Sequence, residues 1–224
     1  MKKIKLLLCL LMLTSLCGCS SNDSSSKTLN AAMFWISTSL DPTNNYDGWV
    51  LSRIGVGETL LKLNEKYEVE PSLAKSYEQI DDTTWKFTLN NSVTFSNGKK
   101  VTGKHVQQCL ERAFKNNTRA VDYFDLNHIE SKGQEVYLYL NKPSGALLNN
   151  LCEPLFTIYD ASQSDEDIAS HPICTGPFVV DDFVSEKTIE TSRNENYYDG
   201  KAKLDHVHFT QVSDSSGSHC DQRS

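Results

Sequence analysis

The order of alternating and helical segments constrains the fold of this chain more than any other feature of the sequence. Every second residue is apolar in Thr84–Leu89 and again in residues 136–140, a spacing typical of half-buried strands. Between them, Gly103–Phe114 places its apolar residues on one helical face. Strand and helix patterns thus follow one another with no internal repeat, which predicts a mixed fold of class α+β.

Turn signals and residue propensities place the other elements. Asn97-Gly98 is a strong turn signal, and Thr102 is a suitable N-cap for the helix that follows it. The other predicted strands are Thr28–Ser37, Tyr77–Ile80, Val93–Phe95, a hairpin over Ile129–Leu140, Thr175–Asp182, Thr188–Ser192 and Val207–Val212. The other predicted helices are Tyr46–Leu61 and Gly145–Leu151, and Pro71–Ser76 is a connection.

The first 27 residues have the pattern of an export signal and a tether. Three lysines precede an apolar run that ends at Leu16 and is too short to span a membrane, so residues 1–18 are predicted to be a signal peptide. Leu16-Cys17-Gly18-Cys19 is similar to a bacterial lipobox with Cys19 as the lipidated residue. Residues 19–27 then form a Ser-rich tether. We therefore expect an extracytoplasmic protein held by lipid to the outer face of the cell membrane.

Charge and cysteine content exclude several functions. The formal net charge of -7 argues against nucleic-acid binding, which needs a basic surface. Beyond the leader, the four cysteines Cys109, Cys152, Cys174 and Cys220 match no zinc or redox spacing. Buried thiols are favoured over a disulfide such as Cys152–Cys174. No Ser/His/Asp or Cys/His arrangement and no phosphate loop is present, so neither an enzyme nor a cofactor is expected.

A series of short motifs occurs in an order that resembles a known family. The motifs are Leu40-Asp41-Pro42, Val56–Leu60, Val69–Ser76, Thr84–Leu89, Val93–Gly98, Thr175–Phe178 and Arg193–Tyr198. Together they resemble the bacterial extracellular solute-binding proteins of family 5, which serve peptide, dipeptide and nickel ABC importers. One departure from the family pattern is Lys104, where members usually carry an acid.

The resemblance implies a two-lobe fold of the type II periplasmic-binding-protein kind. It assigns residues 28–44 and 167–212 to the first lobe and residues 45–166 to an inserted subdomain. The second lobe would be absent, so we expect a truncated version of the fold. Residues 213–224 contain no Leu, Ile, Val or aromatic residue and are expected to be an aberrant, disordered tail. A frameshift or early stop near Ser215 and a genuine short paralogue are both compatible with this tail.

The resemblance also suggests ligand-binding residues. Tyr46 and Trp49 follow the first-strand turn, which borders the ligand in the family, and Arg119 falls where nickel-type members carry an arginine. At Glu153-Pro154 an acid replaces the base of those members, which favours a cationic or zwitterionic ligand such as a short peptide. The alternative for each of these four residues is an ordinary surface or core position.

Other functional interpretations remain open at this point. His206 and His208 lie on one face of a predicted strand and are weak candidates for metal ligands, with exposed histidines as the alternative. The leading hypothesis is capture of short peptides for an ABC permease and its ATPase. A nickel or nickel-chelate binding protein is the second hypothesis. A non-functional fragment and a surface adhesion or signalling lipoprotein are the others.

Overall fold

A computed structural model describes residues 26–212. The signal peptide, Cys19, most of the tether, His219, Cys220 and the 213–224 tail lie outside the described residues. The strands are β1 Thr28–Met33, β2 Leu61–Leu63, β3 Val69–Pro71, β4 Ala74–Gln79, β5 Thr84–Leu89, β6 Leu126–Lys132, β7 Glu135–Leu140, β8 Phe178–Val184, β9 Thr188–Arg193 and β10 His206–Gln211. The helices are α1 Gly48–Arg53, α2 Gly103–Asn116, α3 Ala120–Tyr123, α4 Leu147–Asn150 and α5 Asp165–Ser170, with a 3-10 turn at Pro154–Phe156.

The first sheet joins the beginning of the described chain to its end. Its strand order is β1-β10-β9-β8, with β1 parallel to β10 and the other pairs antiparallel. Val207 of β10 and Ile189 of β9 are buried, and the residues adjacent to them in each strand point to the opposite face, which is more exposed to solvent. A parallel pair between residues 28–33 and 206–211 requires a long crossover, which the whole of the intervening chain provides.

The second sheet is a four-stranded antiparallel sheet with helix α2 packed on one face. Its strand order is β4-β5-β7-β6. Phe87 and Leu138 are fully buried, and α2, which packs against β6 and β7, buries Val106 and Leu110, so the alternation in the sequence marks the buried side correctly. Thr102 caps α2 as predicted, and its backbone N–H donates to Nδ1 of His105 at 3.1 Å. The mixed α and β class is thereby confirmed.

Four local predictions are wrong in whole or in part, and for the first of them the geometry of two glycines is the cause. The predicted helix Tyr46–Leu61 ends at Arg53, because Gly55 adopts a φ of +70° and Gly57 lies against Thr157. The predicted strand Val93–Phe95 is only an isolated bridge between Thr94 and Lys100. The first strand stops at Met33 rather than at Ser37. The predicted connection Pro71–Ser76 is also wrong in part, because β3 ends and β4 begins within it.

The cysteines within residues 26–212 lie in or beside the hydrophobic core. Cys109 and Cys174 are buried, Cys152 is half-buried, and all three are free thiols, as favoured from the sequence. Within residues 26–212 the structure has no helix with the length and hydropathy of a membrane span. One continuous set of buried apolar residues draws on both four-stranded sheets and on Leu61 of the two-stranded β2-β3 sheet. The division into segments 28–44, 45–166 and 167–212 stays a prediction.

Candidate functional site

The four residues suggested for ligand binding come together in space, although 107 positions separate the first from the last. The indole Nε1 of Trp49 donates to Oε1 of Glu153 at 2.9 Å. The guanidinium of Arg119 approaches the same Oε1 at 3.7 Å, and its central carbon lies 3.7 Å from the ring centroid of Tyr46. We call Tyr46, Trp49, Arg119 and Glu153 the aromatic–ion cluster. The role of the cluster in ligand binding stays a proposal.

Backbone contacts hold the cluster in place. The side-chain amide of Asn117, just after α2, donates to the carbonyls of Thr43 at 3.1 Å and Asn45 at 3.0 Å, which fixes the loop that carries Tyr46. Gly48 in the first turn of α1 lies against the backbone of Pro154, with no room for a Cβ. Trp49 and Glu153 are therefore brought together by a close approach of two backbone segments.

The charges of the cluster are satisfied internally. Arg119 donates to the carbonyl of Asn45 at 3.0 Å and to the hydroxyl of Tyr123 at 2.7 Å, besides its contact with Glu153. The Glu153 side chain is only 14% exposed. Burial, followed by the nearby charge of Glu153, raises the pKa of Tyr123. The carboxylate of Glu153 thus has Arg119 and Trp49 as neighbours, and its preference for a cationic or zwitterionic ligand stays a prediction.

An open groove of about 270 Å³ lies beside the cluster and is lined by Phe34, Trp35, Tyr46, Trp49 and Arg53. Three of these residues, Phe34, Trp35 and Arg53, were missed from the sequence. Phe34 is 75% exposed and Tyr46 is 54% exposed, so two large aromatic rings beside the groove are open to solvent. The signal that could have found them is the pair of adjacent aromatic residues at the strand end, together with an arginine four positions after Trp49.

A second cavity of about 310 Å³ lies near Trp49 and is bordered by Glu58, Lys62 and Ser72. The carboxylate of Glu58 accepts hydrogen bonds from the hydroxyls of Thr175 at 2.8 Å, Tyr197 at 3.1 Å and Tyr198 at 3.2 Å. Burial raises the pKa of Glu58. Since three hydroxyls from the return segment satisfy it, Glu58 ties residues 175–198 to the chain before β2.

The two candidate metal ligands do not form a metal site with their surroundings. His206 and His208 share a face of β10 as predicted, and His206 is exposed. His208 contacts the carboxylate of Glu190 through Nδ1 and the hydroxyl of Thr210 through Nε2 at 3.1 Å. In the part of the chain that the structure describes, no group of three or more His, Cys, Asp and Glu side chains is placed to hold a metal ion.

Asp47, between the two aromatic residues of the cluster, makes stability depend on pH. Burial, with a contribution from the charge of Asp41, raises its pKa to about 6. Its ordinary value is 3.8, so the folded state holds a proton that the unfolded state releases between these two values. The stability that this group contributes is therefore full below pH 4 and is lost as the pH rises through 6.

We expect Asp47→Asn to raise the free energy of unfolding by about 1–2 kcal/mol at pH 7.5 and to leave it unchanged near pH 3.5. Asparagine cannot ionise, and its amide oxygen can still accept the 2.7 Å hydrogen bond from Asn44. Urea unfolding of both chains at the two pH values measures the difference. An equal effect at both pH values would show that ionisation of Asp47 is not the cause.

Comparisons with known proteins agree with this architecture. A family model described as bacterial extracellular solute-binding proteins, family 5, middle region, matches residues 68–218. The nickel-binding protein NikA of Staphylococcus aureus is 33% identical over 199 residues, which cover 89% of this chain and 40% of that protein. The oligopeptide-binding protein AppA of Bacillus subtilis is 26% identical, covering 69% of this chain and 31% of the relative.

Solved structures give the same result for the fold. NikA from Staphylococcus aureus in complex with Ni(L-His)2 superposes with a TM-score of 0.79 at 31% identity, over 84% of this chain and 40% of that one. The nickel ABC transporter protein from Bacillus halodurans superposes with a TM-score of 0.81 at 30% identity, over 85% of this chain and 40% of that one. The fold is therefore part of the type II periplasmic-binding-protein fold, and the chain spans about 40% of the length of these relatives.

Proposed function

The chain belongs to the bacterial extracellular solute-binding proteins of family 5, and we propose that it captures a small solute outside the cytoplasm for an ABC importer. The observation that carries this proposal is the convergence of Tyr46, Trp49, Arg119 and Glu153 beside an open aromatic groove. Binding sites for small ligands are concave and mostly apolar, with a few well-placed polar groups. The groove has this composition.

Short peptides are the first candidate ligands. Relatives with peptide-binding names, such as AppA, share the family, and exposed rings such as Phe34 and Tyr46 offer stacking surfaces that are tolerant of side-chain identity. The charge of Glu153 is a weaker argument for a peptide, since its carboxylate lies near Arg119 and accepts a hydrogen bond from Trp49. The remaining support is the apolar groove itself.

A nickel–amino acid chelate is the second candidate. The observation that favours it is the likeness to Staphylococcus aureus NikA, whose structure was solved with Ni(L-His)2. Such a chelate carries flat imidazole rings that can stack on the rings of Tyr46 and Trp49. It would need no metal-ligating group from this chain, because histidine supplies the donor atoms.

Export, lipid attachment at Cys19 and delivery to a membrane permease with its ATPase complete the proposal. The support for them is the lipobox-like Leu16–Cys19 segment and membership of the family. Incorporation of labelled palmitate into the expressed chain, lost in Cys19→Ala, tests the anchor directly.

Ligand-dependent thermal melting of the full chain tests the proposed function. The probes are di- to pentapeptides, Ni²⁺ alone, and Ni²⁺ with L-histidine. A ligand at a hundredfold excess over its Kd should raise the Tm by roughly 5–10 °C, because it binds only the folded state. Trp49→Ala should abolish the shift.

Tyr67→Ala is the matched control, because Tyr67 is 81% exposed and lines no part of the groove. It should leave the shift unchanged. The absence of a shift with every probe would contradict solute capture and would favour a fragment without binding function or an adhesion role.

A further inference from the structure

Arg53 occupies a distinctive position in the groove. It is the last residue of α1, and its side chain is exposed. Its guanidinium carbon lies 5.4 Å from the ring centroid of Phe34 and 5.5 Å from that of Trp49. Both distances are within the range of cation–π attraction. The two rings therefore hold the guanidinium at the groove without consuming its N–H donors.

The other arginines of residues 26–212 are already paired with acids. Arg112 pairs with Asp41 and Asp165, Arg119 with Glu153, and Arg193 with Glu195 and Asp205. Among the described residues, the ion pairs of arginine involve Arg112, Arg119 and Arg193 but not Arg53. In a chain with a net charge of -7, an arginine without an acid beside an open groove is a notable feature.

The two arginines near the groove contribute differently to its net charge. Arg119 and Glu153 together contribute no net charge, and the donors of Arg119 are directed to Glu153, the Asn45 carbonyl and the Tyr123 hydroxyl. Arg53 contributes one uncompensated positive charge. An anionic group that enters the groove would therefore meet Arg53 as its free partner.

We propose that Arg53, rather than Arg119, binds the carboxylate of the ligand. This inference rests on the proposed function. A planar guanidinium with free N–H donors matches a carboxylate in a two-point hydrogen-bonded pair, and the flanking rings reduce the competition from water. The carboxylate can be the C-terminus of a peptide or the carboxylate of histidine in a nickel chelate. Arg119 is then a positioning residue that holds Tyr46, Tyr123 and Glu153.

The test compares ligands with and without a carboxylate on the full chain. Isothermal titration calorimetry uses the tripeptide Ala-Phe-Ala against its C-terminal amide, and Ni²⁺ with L-histidine against Ni²⁺ with L-histidine amide. We expect the unmodified chain to bind the acid of one pair about tenfold to a hundredfold more tightly than the amide. The pair that binds identifies the source of the carboxylate.

Substitutions then assign the carboxylate to one arginine. Arg53→Gln should bind acid and amide equally, and Arg53→Lys should retain a reduced preference, because lysine is a point charge without the planar fork. Arg119→Gln should lower the Tm and keep the preference. Lys66→Gln removes an exposed charge from the β2–β3 turn and should change neither quantity.

The outcomes separate the inference from the proposed function. If Arg53→Gln keeps the full preference for the acid, or if only Arg119→Gln abolishes it, Arg53 is not the carboxylate partner, although solute capture stands. If the unmodified chain binds neither member of either pair, the proposed function fails and the inference fails with it. The Tm of Arg53→Gln should lie within about 2–4 °C of that of the unmodified chain, because the residue is exposed and loses only its two cation–π contacts.

Discussion

Arg112→Gln is expected to lower the free energy of unfolding by about 3–5 kcal/mol, the largest effect of any substitution considered. The guanidinium donates to both carboxylate oxygens of Asp41 at 2.7 Å, and the two side chains are only 16% and 14% exposed. It also donates to the hydroxyls of Thr43 and Tyr159, at 2.9 Å each. Glutamine would leave the carboxylate of Asp41 buried without a counter-charge.

A second acid on the same arginine provides the control. Asp165 accepts from Arg112 at 2.7 Å and its side chain is 85% exposed, so Asp165→Asn should change the free energy of unfolding by no more than about 0.5–1 kcal/mol. Urea denaturation of the three chains at pH 7.5 gives the comparison. Equal losses for Arg112→Gln and Asp165→Asn would mean that burial of the Asp41 pair is not the source of the effect.

Gly48→Ala is expected to lower the free energy of unfolding by about 2–3 kcal/mol and to weaken ligand binding. A Cβ at this position would lie 2.3 Å from the carbonyl oxygen and 2.7 Å from the carbonyl carbon of Pro154, and backbone atoms cannot rotate away. Alanine normally stabilises a helix relative to glycine, so a loss here has the opposite sign to helix propensity. Moving α1 away from Pro154 also separates Trp49 from Glu153.

Gly145→Ala is the matched control, because no atom lies within 4 Å of a Cβ built there and the residue is exposed. It should alter the free energy of unfolding by less than about 0.5 kcal/mol. Thermal melting and the ligand titrations measure both variants. A neutral or stabilising Gly48→Ala would show that the segments around Gly48 and Pro154 do not pack closely in solution.

Local patterns in the sequence were sufficient to predict elements whose burial is regular. The alternation in Thr84–Leu89 and the apolar face of Gly103–Phe114 are direct consequences of one-sided packing, and both elements form where they were expected. The helix after Tyr46 was predicted too long, because the positive φ of Gly55 and the packing of Gly57 on Thr157 depend on distant parts of the chain.

The candidate site was predictable only in part for a similar reason. Resemblance to a family suggested Tyr46, Trp49, Arg119 and Glu153, and the structure brings them together. It could not reveal that Arg119 neutralises Glu153, since that depends on a contact across 34 positions of sequence. Arg53 lies in none of the sequence motifs, and its proposed role in ligand binding follows only from its position beside the Phe34 and Trp49 rings.

Fluorescence titration of the full chain tests most directly whether a solute binds at the aromatic–ion cluster. The chain has three tryptophans, of which Trp35 and Trp49 line the groove and Trp85 lies in the second sheet. With the peptide or nickel–histidine probe that binds, we predict a saturable emission change that the double substitution of Trp35→Phe with Trp49→Phe removes and Trp85→Phe leaves intact. A change that persists when both groove tryptophans are replaced, or no change with either probe, would contradict binding at this site.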